Sequence, residues 1–171
     1  MSLIEKDRDV AVSYVEELAG VYRYILQTKD DELIALGEEL DFIRSYLFLI
    51  KKRFGENISI AITIKDDFLK DKVPPLSLQL LIENAVKHNV ISKKRPLQIE
   101  VFRENDHITV RNNLQEKAIL QGATGIGLIN LQKRYEFITK EKPKIFSDEH
   151  YFTVKIPVIK NKEEKNEGCH Y

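Results

Sequence analysis

The chain has 171 residues, of which 43% are hydrophobic and 32% charged, and its 27 basic and 27 acidic side chains cancel. This length and composition suit one domain with a real core, or one domain with a helical appendage. A neutral chain lacks the basic surface that is typical of nucleic-acid-binding proteins. Cys169 is the single cysteine, which excludes an internal disulfide and fits a reducing, cytosolic compartment. No apolar run approaches the roughly 20 residues that span a bilayer, and no signal peptide is recognisable.

The first third of the chain predicts two amphipathic helices joined by a charged link at 28–31. Apolar residues recur at spacings of three and four, which places them on one face of each helix. These residues are Ala11, Val15, Leu18, Tyr22 and Ile25, then Leu36, Leu40, Ile43, Leu47, Ile50 and Phe54. We expect an antiparallel hairpin at 4–54 that packs on the rest of the chain or on a second copy. Its aromatic residues suit core and dimer packing better than a ligand or membrane surface; they are Tyr14, Tyr22, Tyr24, Phe42, Tyr46 and Phe48.

From Gly55 onward the apolar period changes to the alternation of β-strands. Strands are predicted at 58–64, from Leu97 and from Ile108, with a closing hairpin at 144–146 and 151–158. Helices are predicted at 76–90, opened by Pro74-Pro75, and at 127–139, with a loop at 112–125 between strand and helix. Paired strands with helices between them predict an α+β fold, with a mixed sheet and helices on one face.

Four polar residues lie close together on the predicted helix at 76–90. Asn84, Lys87 and His88 follow one another at three- and four-residue spacings, so they share one side of the helix, and Glu83 lies at its edge. Such a set suits Mg²⁺ and phosphate, because Mg²⁺ prefers oxygen ligands and shares them with substrate phosphates and water. Residue types and spacing alone also fit an ordinary solvated helix face.

A glycine-rich segment, GATGIG at 122–127, leads directly into the predicted helix at 127–139. Glycines let backbone amides approach a phosphate closely, and a helix N-terminus favours negative charge. A short Gly-x-Gly also occurs in flexible turns ahead of helices. The two features together predict a Mg-ATP site, because the first offers metal ligands and the second offers phosphate contacts.

These segments resemble the LytS-type sensor histidine kinases, which belong to the GHKL superfamily of ATP-binding domains. The family's N box is similar to PPLSLQLLIENAVKHN at 74–89, and its second glycine box is similar to GIGLINLQKRY at 125–135. The family's helix ahead of the ATP domain is similar to EELDFIRSYL at 38–47 and its continuation to Phe54. The resemblance implies a Bergerat-type two-layer α/β sandwich at 55–160, preceded by a helical hairpin at 4–54 that is part of a dimerisation region. A flexible tail is expected at 161–171.

The resemblance also implies roles for individual residues. Asn84 would be the Mg²⁺ ligand, Glu83 would polarise the attacking group or its water, and Lys87 would act beside it in catalysis. The nucleotide-binding set would be Asn84, His88, Asn112, Asn113, Thr124, Gly125, Ile126, Gly127, Leu128, Asn130 and Arg134. The implied cofactors are ATP and Mg²⁺.

The first glycine box departs from the family pattern. Asn112 stands where the family has the aspartate that accepts a hydrogen bond from the adenine amino group, and Leu114 and Glu116 replace glycines. An amide oxygen still accepts that bond, without charge assistance. We expect the change to weaken nucleotide binding by about 1–2 kcal/mol.

The family's phosphoacceptor histidine lies in a segment that this sequence lacks. His88 belongs to the ATP box, His107 and His150 fall at predicted hairpin turns, and His170 lies in the tail. The expected function is therefore phosphoryl transfer from Mg-ATP to a histidine outside this chain, by a fragment that does not phosphorylate itself. In the full-length protein a response regulator would be the partner. A homodimer through the N-terminal helices is expected, as is a cytoplasmic domain of an inner-membrane protein.

Two alternatives to this function differ in their use of nucleotide. One is a dimerisation or interaction module of a signalling protein that binds nucleotide poorly. The other is a different GHKL chemistry, such as an anti-sigma kinase or an ATP-driven clamp, which the helix at 38–54 disfavours. Mg-dependent nucleotide binding separates the kinase domain from the interaction module.

Overall fold

The structure is a computed structural model that describes residues 8–28, 30–117 and 126–160. The helices are α1 (Arg8–Gln27), α2 (Leu36–Phe54), α3 (Ser77–His88) and α4 (Ile126–Thr139). The strands are β1 (Ile34–Ala35), β2 (Ile58–Thr63), β3 (Lys72–Val73), β4 (Leu97–Glu104), β5 (His107–Asn113), β6 (Lys144–Ser147) and β7 (Tyr151–Pro157). Among the described helices, none combines the length and apolar character that crossing a bilayer requires.

The main sheet has five strands in the order β2-β4-β5-β7-β6. β2 runs parallel to β4, and the other neighbours are antiparallel, so the sheet is mixed as predicted. Cross-strand partners such as Val101, Val110 and Val154 lie on one face and are buried. Because side chains alternate along a strand, their neighbours Arg111 and Lys155 lie on the opposite, more exposed face. The α+β prediction with helices on one face is confirmed.

The N-terminal helical hairpin is present, but α1 has two apolar faces rather than one. Val21 is buried, and Leu18 and Ile25 are half-buried against the core. Val15 and Tyr22 are 63% and 62% exposed. The predicted stripe therefore combined residues from two faces of α1. Both faces repeat with the same helical period and are separated only by a small rotation about the helix axis. The aromatic residues of the hairpin pack as expected, since the rings of Tyr24 and Phe42 stack with centroids 4.2 Å apart.

A small antiparallel pair, β1 with β3, joins the start of α2 to the segment ahead of α3. The Leu36 amide donates to the Asp71 carbonyl at 2.7 Å, and Lys72 and Ile159 exchange backbone hydrogen bonds of 2.7 and 2.9 Å. Strands of two residues are too short to show a period, so the sequence did not predict them. This pair holds the chain immediately before the helix that carries the polar cluster.

The helix α3 begins at Ser77, after both prolines, rather than being opened by them. Its N-cap residue, Leu76, adopts a left-handed conformation with φ of 62°. Leu78 and Ile82 are fully buried against the sheet, which matches the predicted core face of this helix.

Candidate nucleotide site

The polar cluster of α3 is arranged in two rows along the helix. Asn84 and His88 are one turn apart, half-buried, and follow Leu80 in the row that faces α4. Glu83 and Lys87 are also one turn apart and form a second, exposed row. The structure therefore brings the four predicted residues onto one side of α3 but divides them by exposure.

Asn84 lies against the first turn of α4, at Gly127. A Cβ built on Gly127 would lie 4.0 Å from Asn84 Nδ2 and 3.3 Å from Leu80 Cδ1. The second distance is tighter than an ordinary contact, so a larger residue at 127 would require the Leu80 side chain to move by a few tenths of an ångström. The glycine box and the N box thus meet at Gly127 and Asn84, which are 43 positions apart in the sequence.

The Asn84 side chain has a buried hydrogen-bond donor that nothing satisfies. Its Nδ2 atom is the single buried side-chain polar atom without a hydrogen-bond partner among the residues that the structure describes. An unsatisfied buried donor costs about 1–3 kcal/mol. A half-turn of the amide would place the oxygen there instead, since both ends of the group have nearly the same shape. Either orientation leaves a buried polar atom of Asn84 without a hydrogen-bond partner among the described residues.

Glu83 lies on the side of α3 that faces α2. Its carboxylate accepts a hydrogen bond of 2.8 Å from Gln79 Nε2. Burial raises the pKa of Tyr46 on α2, and the nearby charge of Glu83 raises it further. Glu83 is therefore held at the rim of the cluster as an exposed carboxylate.

The C-terminal turn of α3 gathers positive charge. Lys117, in the segment after β5, donates from Nζ to the carbonyls of Val86 and Lys87 at 3.2 and 2.7 Å. Its backbone amide donates to the His88 carbonyl at 3.1 Å. Burial lowers the pKa of His88, and the charges of Lys87 and Lys117 lower it further. Within the described ranges neither lysine forms an ion pair, so the group attracts an anion.

The two asparagines of the altered glycine box lie on opposite faces of β5. Asn112 is 3% exposed and lies on the helix face with Val110. Its Nδ2 donates to the Asn113 carbonyl at 2.8 Å, which leaves Oδ1 without a hydrogen bond to any described residue. Asn113 instead links the start of β4, since its Oδ1 accepts from the Gln98 amide at 2.8 Å and its Nδ2 donates to the Pro96 carbonyl at 3.1 Å. Only Asn112 is thus brought to the helix side of the sheet.

The predicted residues of α4 are also divided. Ile126 and Gly127 form the first turn beside Asn84, Leu128 packs against the core, and Asn130 is exposed. Arg134 lies two turns further on, where its Nη1 donates to the Pro75 carbonyl at 2.7 Å, at the other end of α3. Thr124 and Gly125 lie outside the described residues.

Two residues near the cluster were not singled out from the sequence. Asn89 is 3% exposed, donates from Nδ2 to the Ala85 carbonyl at 2.9 Å and accepts from the Gln115 amide at 2.7 Å. It therefore connects the end of α3 to the loop after β5. Lys117 completes the same connection. The contacts of Asn89 and Lys117 join residues 26 and 31 positions apart in the sequence. A local spacing pattern therefore does not reveal them.

The chain is similar in sequence to known histidine kinases. The sequence model of the family described as histidine kinase matches residues 1–58. Sensor protein LytS of Enterococcus faecalis is 29% identical over 149 residues, covering 78% of this chain and 25% of that protein. The sensor histidine kinase/phosphatase LytS of Staphylococcus aureus strain MRSA252 is 32% identical over 134 residues, covering 73% of this chain and 23% of that protein. The chain belongs with the LytS-type sensor histidine kinases.

The fold of this LytS-type chain is shared with a solved histidine kinase. The cytoplasmic segment of histidine kinase QseC superposes with a TM-score of 0.53 at 18% identity, covering 92% of this chain and 96% of that one. At this identity the likeness establishes the fold alone. The chain spans about a quarter of the length of the curated LytS relatives that it matches.

The donor set of this LytS-type chain fits Mg²⁺ held jointly with a phosphate ligand. Among residues 8–28, 30–117 and 126–160, no three His, Cys, Asp or Glu side chains group into a metal site. Mg²⁺ does not require such a cage, since it keeps several waters and takes one or two protein oxygens with substrate phosphates. The Asn84 amide, with positive charge nearby at Lys87 and Lys117, fits that arrangement.

Proposed function

We propose that this chain is the ATP-binding catalytic domain of a two-component sensor histidine kinase. It would transfer the γ-phosphoryl group of Mg-ATP to a histidine located outside this chain, releasing ADP. The observation that carries the proposal is the buried, unsatisfied amide of Asn84, which faces Gly127 at the first turn of α4. The backbone amides of a first helical turn have no partners within the helix and favour phosphate.

In this proposal each residue has a role that follows from its position. Asn84 holds Mg²⁺, which when bound neutralises phosphate charge. Lys87 and His88 lie near the phosphates, and Gly127 and Leu128 offer first-turn amides. Glu83 at the exposed rim orients the attacking group. Catalysis of this kind rests on positioning and on charge stabilisation rather than on covalent chemistry by the protein.

Adenine recognition is proposed to rest on Asn112. Its free Oδ1 is an acceptor for the adenine amino group, on the same side of the sheet as α3. Asn113 is proposed to act indirectly, since its hydrogen bonds to β4 fix the end of β5 that carries Asn112. Asn130 and Arg134 on α4 are also proposed to contact the nucleotide, for which Arg134 would exchange its hydrogen bond to the Pro75 carbonyl. Thr124 and Gly125, in the glycine-rich segment at 122–127, are proposed to bind nucleotide on the family resemblance alone.

The phosphoacceptor is proposed to lie elsewhere in the full-length protein. His107 is held by Glu141 at 3.1 Å, and His150 lies on the exposed turn between β6 and β7. Both residues lie outside α3, and His88 belongs to the site itself. The phosphorylated histidine would then donate its phosphoryl group to an aspartate of a response regulator, and the chain would be a cytoplasmic domain of a membrane protein.

A homodimer through the N-terminal helices is supported by the outer face of α1. Val12, Val15, Tyr22 and Leu26 are each 50% to 73% exposed, and Ala19 continues their stripe. Their spacing alternates three and four residues, as in the seam of a helical bundle. We expect wild-type protein to sediment as a dimer and Leu26→Glu to sediment as a monomer. Wild-type protein and Leu26→Glu that sediment with the same mass would contradict the proposal.

Nucleotide binding tests the proposed function. Titration calorimetry with a non-hydrolysable ATP analogue should show binding that requires Mg²⁺ and disappears with EDTA. We expect Asn84→Ala to weaken binding by at least about 100-fold, or ~2.7 kcal/mol. Gln98→Ala is the matched control, because it removes an exposed amide from the opposite face of the sheet. Wild-type protein that binds no nucleotide at millimolar concentration would favour a dimerisation or interaction module.

A further inference from the structure

A second buried polar residue, Glu39 on α2, lies at the opposite end of α3 from the nucleotide site. Its side chain is fully buried and forms no ion pair with any described residue. Burial raises the pKa of this carboxyl, while hydrogen bonds from Leu76 and Leu78 amides act in the opposite direction. Burying a carboxyl without a cation is unfavourable, so the position is costly for a residue that only fills space.

The Glu39 carboxylate supplies the N-terminal cap that α3 itself lacks. Leu76, the N-cap residue, has no side-chain capping hydrogen bond of its own. Glu39 Oε2 accepts from the Leu76 amide at 2.9 Å, and Oε1 accepts from the Leu78 amide at 2.9 Å. The left-handed conformation of Leu76 costs a non-glycine residue roughly 1–2 kcal/mol. The helix that carries Asn84 is thus started by a side chain from α2.

The same carboxylate also connects α1. Tyr24 donates its hydroxyl to Glu39 Oε2 at 3.3 Å, and the Tyr24 ring stacks on Phe42 of α2. One oxygen therefore accepts from both α1 and the start of α3. A displacement of α1 relative to α2 changes a hydrogen bond that the α3 cap shares.

A contact from α4 reaches the same place. Arg134 donates to the Pro75 carbonyl at 2.7 Å, and the buried Tyr135 hydroxyl lies 3.4 Å from Ser77 Oγ. All four helices therefore meet at the start of α3. Asn84 lies eight positions after Leu76, which is about 12 Å along a helix. A tilt at the start of α3 changes the position of Asn84 relative to Gly127, which it faces.

We propose that Glu39 is a positioning residue of the nucleotide site, through which the placement of α1 and α2 sets the position of Asn84. This proposal rests on the proposed function, nucleotide binding at Asn84. It identifies a physical link between the N-terminal helices and the nucleotide site. Coupling of this kind shifts affinity by the difference in contact energy between the two placements.

The test compares Tyr24→Phe, Glu39→Gln and wild type, with Tyr22→Phe as the matched control on the exposed face of α1. Two readouts are taken well below the melting temperature of each variant. The first is the side-chain amide signal of Asn84 in the ligand-free protein, observed by ¹⁵N-resolved NMR. The second is the Kd for Mg²⁺ and the ATP analogue.

We expect the Asn84 signal to move in Tyr24→Phe and further in Glu39→Gln, while Tyr22→Phe leaves it in place. The Kd should rise about three-fold in Tyr24→Phe and about ten-fold in Glu39→Gln, within the usual range of coupling between sites. Folded variants with an unmoved Asn84 signal and Kd within two-fold of wild type would overturn the proposal. If Glu39→Gln fails to fold, Tyr24→Phe decides alone, since it removes only a hydroxyl. If wild type binds no nucleotide, the proposed function fails, and the ligand-free Asn84 signal still decides the positioning role.

Discussion

The two ends of α3 differ in how their buried polar groups are satisfied. At the start of the helix, the amides of Leu76 and Leu78 are bound by Glu39, and the Pro75 carbonyl is bound by Arg134. Eight residues later, Asn84 has a buried donor with no partner among the described residues. One short helix thus contains both a completed hydrogen-bond network and an incomplete one. Since native proteins satisfy most buried polar groups, the incomplete end is where we propose that the ligand binds.

This difference separates positioning from binding within a single element. The completed end joins α1, α2 and α4 to α3, so its residues should matter for stability and alignment. The incomplete end is surrounded by the charges of Lys87 and Lys117 and by the first turn of α4. Its residues should matter little for stability and greatly for ligand binding. Substitutions at one end of α3 can therefore be compared with substitutions at the other in their effects on stability and on nucleotide binding.

The largest effect on stability is expected at the completed end, from Glu39→Ala. This change leaves two amides and the Tyr24 hydroxyl without their acceptor, at about 1–3 kcal/mol for each buried donor. Because the charged carboxyl is itself costly to bury, we expect a net loss of ~3 kcal/mol in the free energy of unfolding. Urea denaturation monitored by circular dichroism measures this quantity.

The controls for Glu39→Ala come from its neighbour and from the other end of the helix. Glu38→Ala alters an exposed carboxylate one residue away and should change stability by less than about 0.5 kcal/mol. Asn84→Ala should change it equally little or raise it, since it removes an unsatisfied donor. A loss at Asn84 as large as that at Glu39 would mean that the two ends do not differ.

An intermediate effect is expected from Lys117→Met at the incomplete end. The change keeps most of the side-chain stem and removes the ammonium that binds the carbonyls of Val86 and Lys87. A cation at a helix C-terminus contributes about 0.3–1 kcal/mol, so we expect a stability loss of that size. Nucleotide affinity should also fall several-fold, and the loss should shrink at high ionic strength because salt screens the missing charge.

The control for Lys117→Met is Lys93, an exposed lysine that lies in a turn. Lys93→Met removes the same charge from the surface at 92–95 and should alter neither stability nor affinity. An equal loss of affinity in both variants would show that net charge, and not the place of Lys117 on α3, governs nucleotide binding.

Much of the scaffold could be predicted from the sequence, because its elements are long enough to show a period. The helices α2, α3 and α4 and the strands β2, β4, β5 and β7 appear where the apolar spacing places them. The meeting of the two boxes at Gly127 and Asn84 was expected from the complementary chemistry of the two segments and from the family resemblance, and not from their spacing. A spacing pattern reports which residues share a face, but it does not report which second element that face touches.

The rest was hidden because it depends on contacts between distant segments. Glu39 looks like Glu38 beside it, yet one is fully buried and the other exposed. Its hydrogen bonds join residues 37 and 39 positions apart, and no local pattern encodes such a cap. The contacts of Lys117 with α3 are hidden for the same reason. The two faces of α1 were merged because Val15 and Leu18 fit one helical period equally well.

The smallest effect is expected from the titration of His88. Burial, Lys87 and Lys117 lower its pKa below the ordinary value of about 6.5. The unfolded chain therefore binds this proton more readily, so the contribution of His88 to stability is present above that ordinary value and is lost as pH falls through the lower, folded value. NMR titration of the imidazole measures the shift, and we expect Lys117→Met to raise the pKa.

Nucleotide should reverse the shift of His88. Adding Mg²⁺ and the ATP analogue brings negative charge to the C-terminal turn of α3, so the pKa of His88 should rise. An unchanged pKa in a protein that binds the analogue would remove His88 from the phosphate side of the site.

The most direct test of the unsatisfied amide at Asn84 as the metal position uses Mn²⁺ in place of Mg²⁺. Both ions prefer octahedral oxygen ligands, and Mn²⁺ broadens the NMR signals of nearby nuclei. With the ATP analogue present, a small amount of Mn²⁺ should erase the side-chain amide signal of Asn84 and leave that of Asn113, on the other face of the sheet. A sharp Asn84 signal under saturating analogue and Mn²⁺, or equal broadening of both asparagines, would contradict a metal site at the incomplete end of α3.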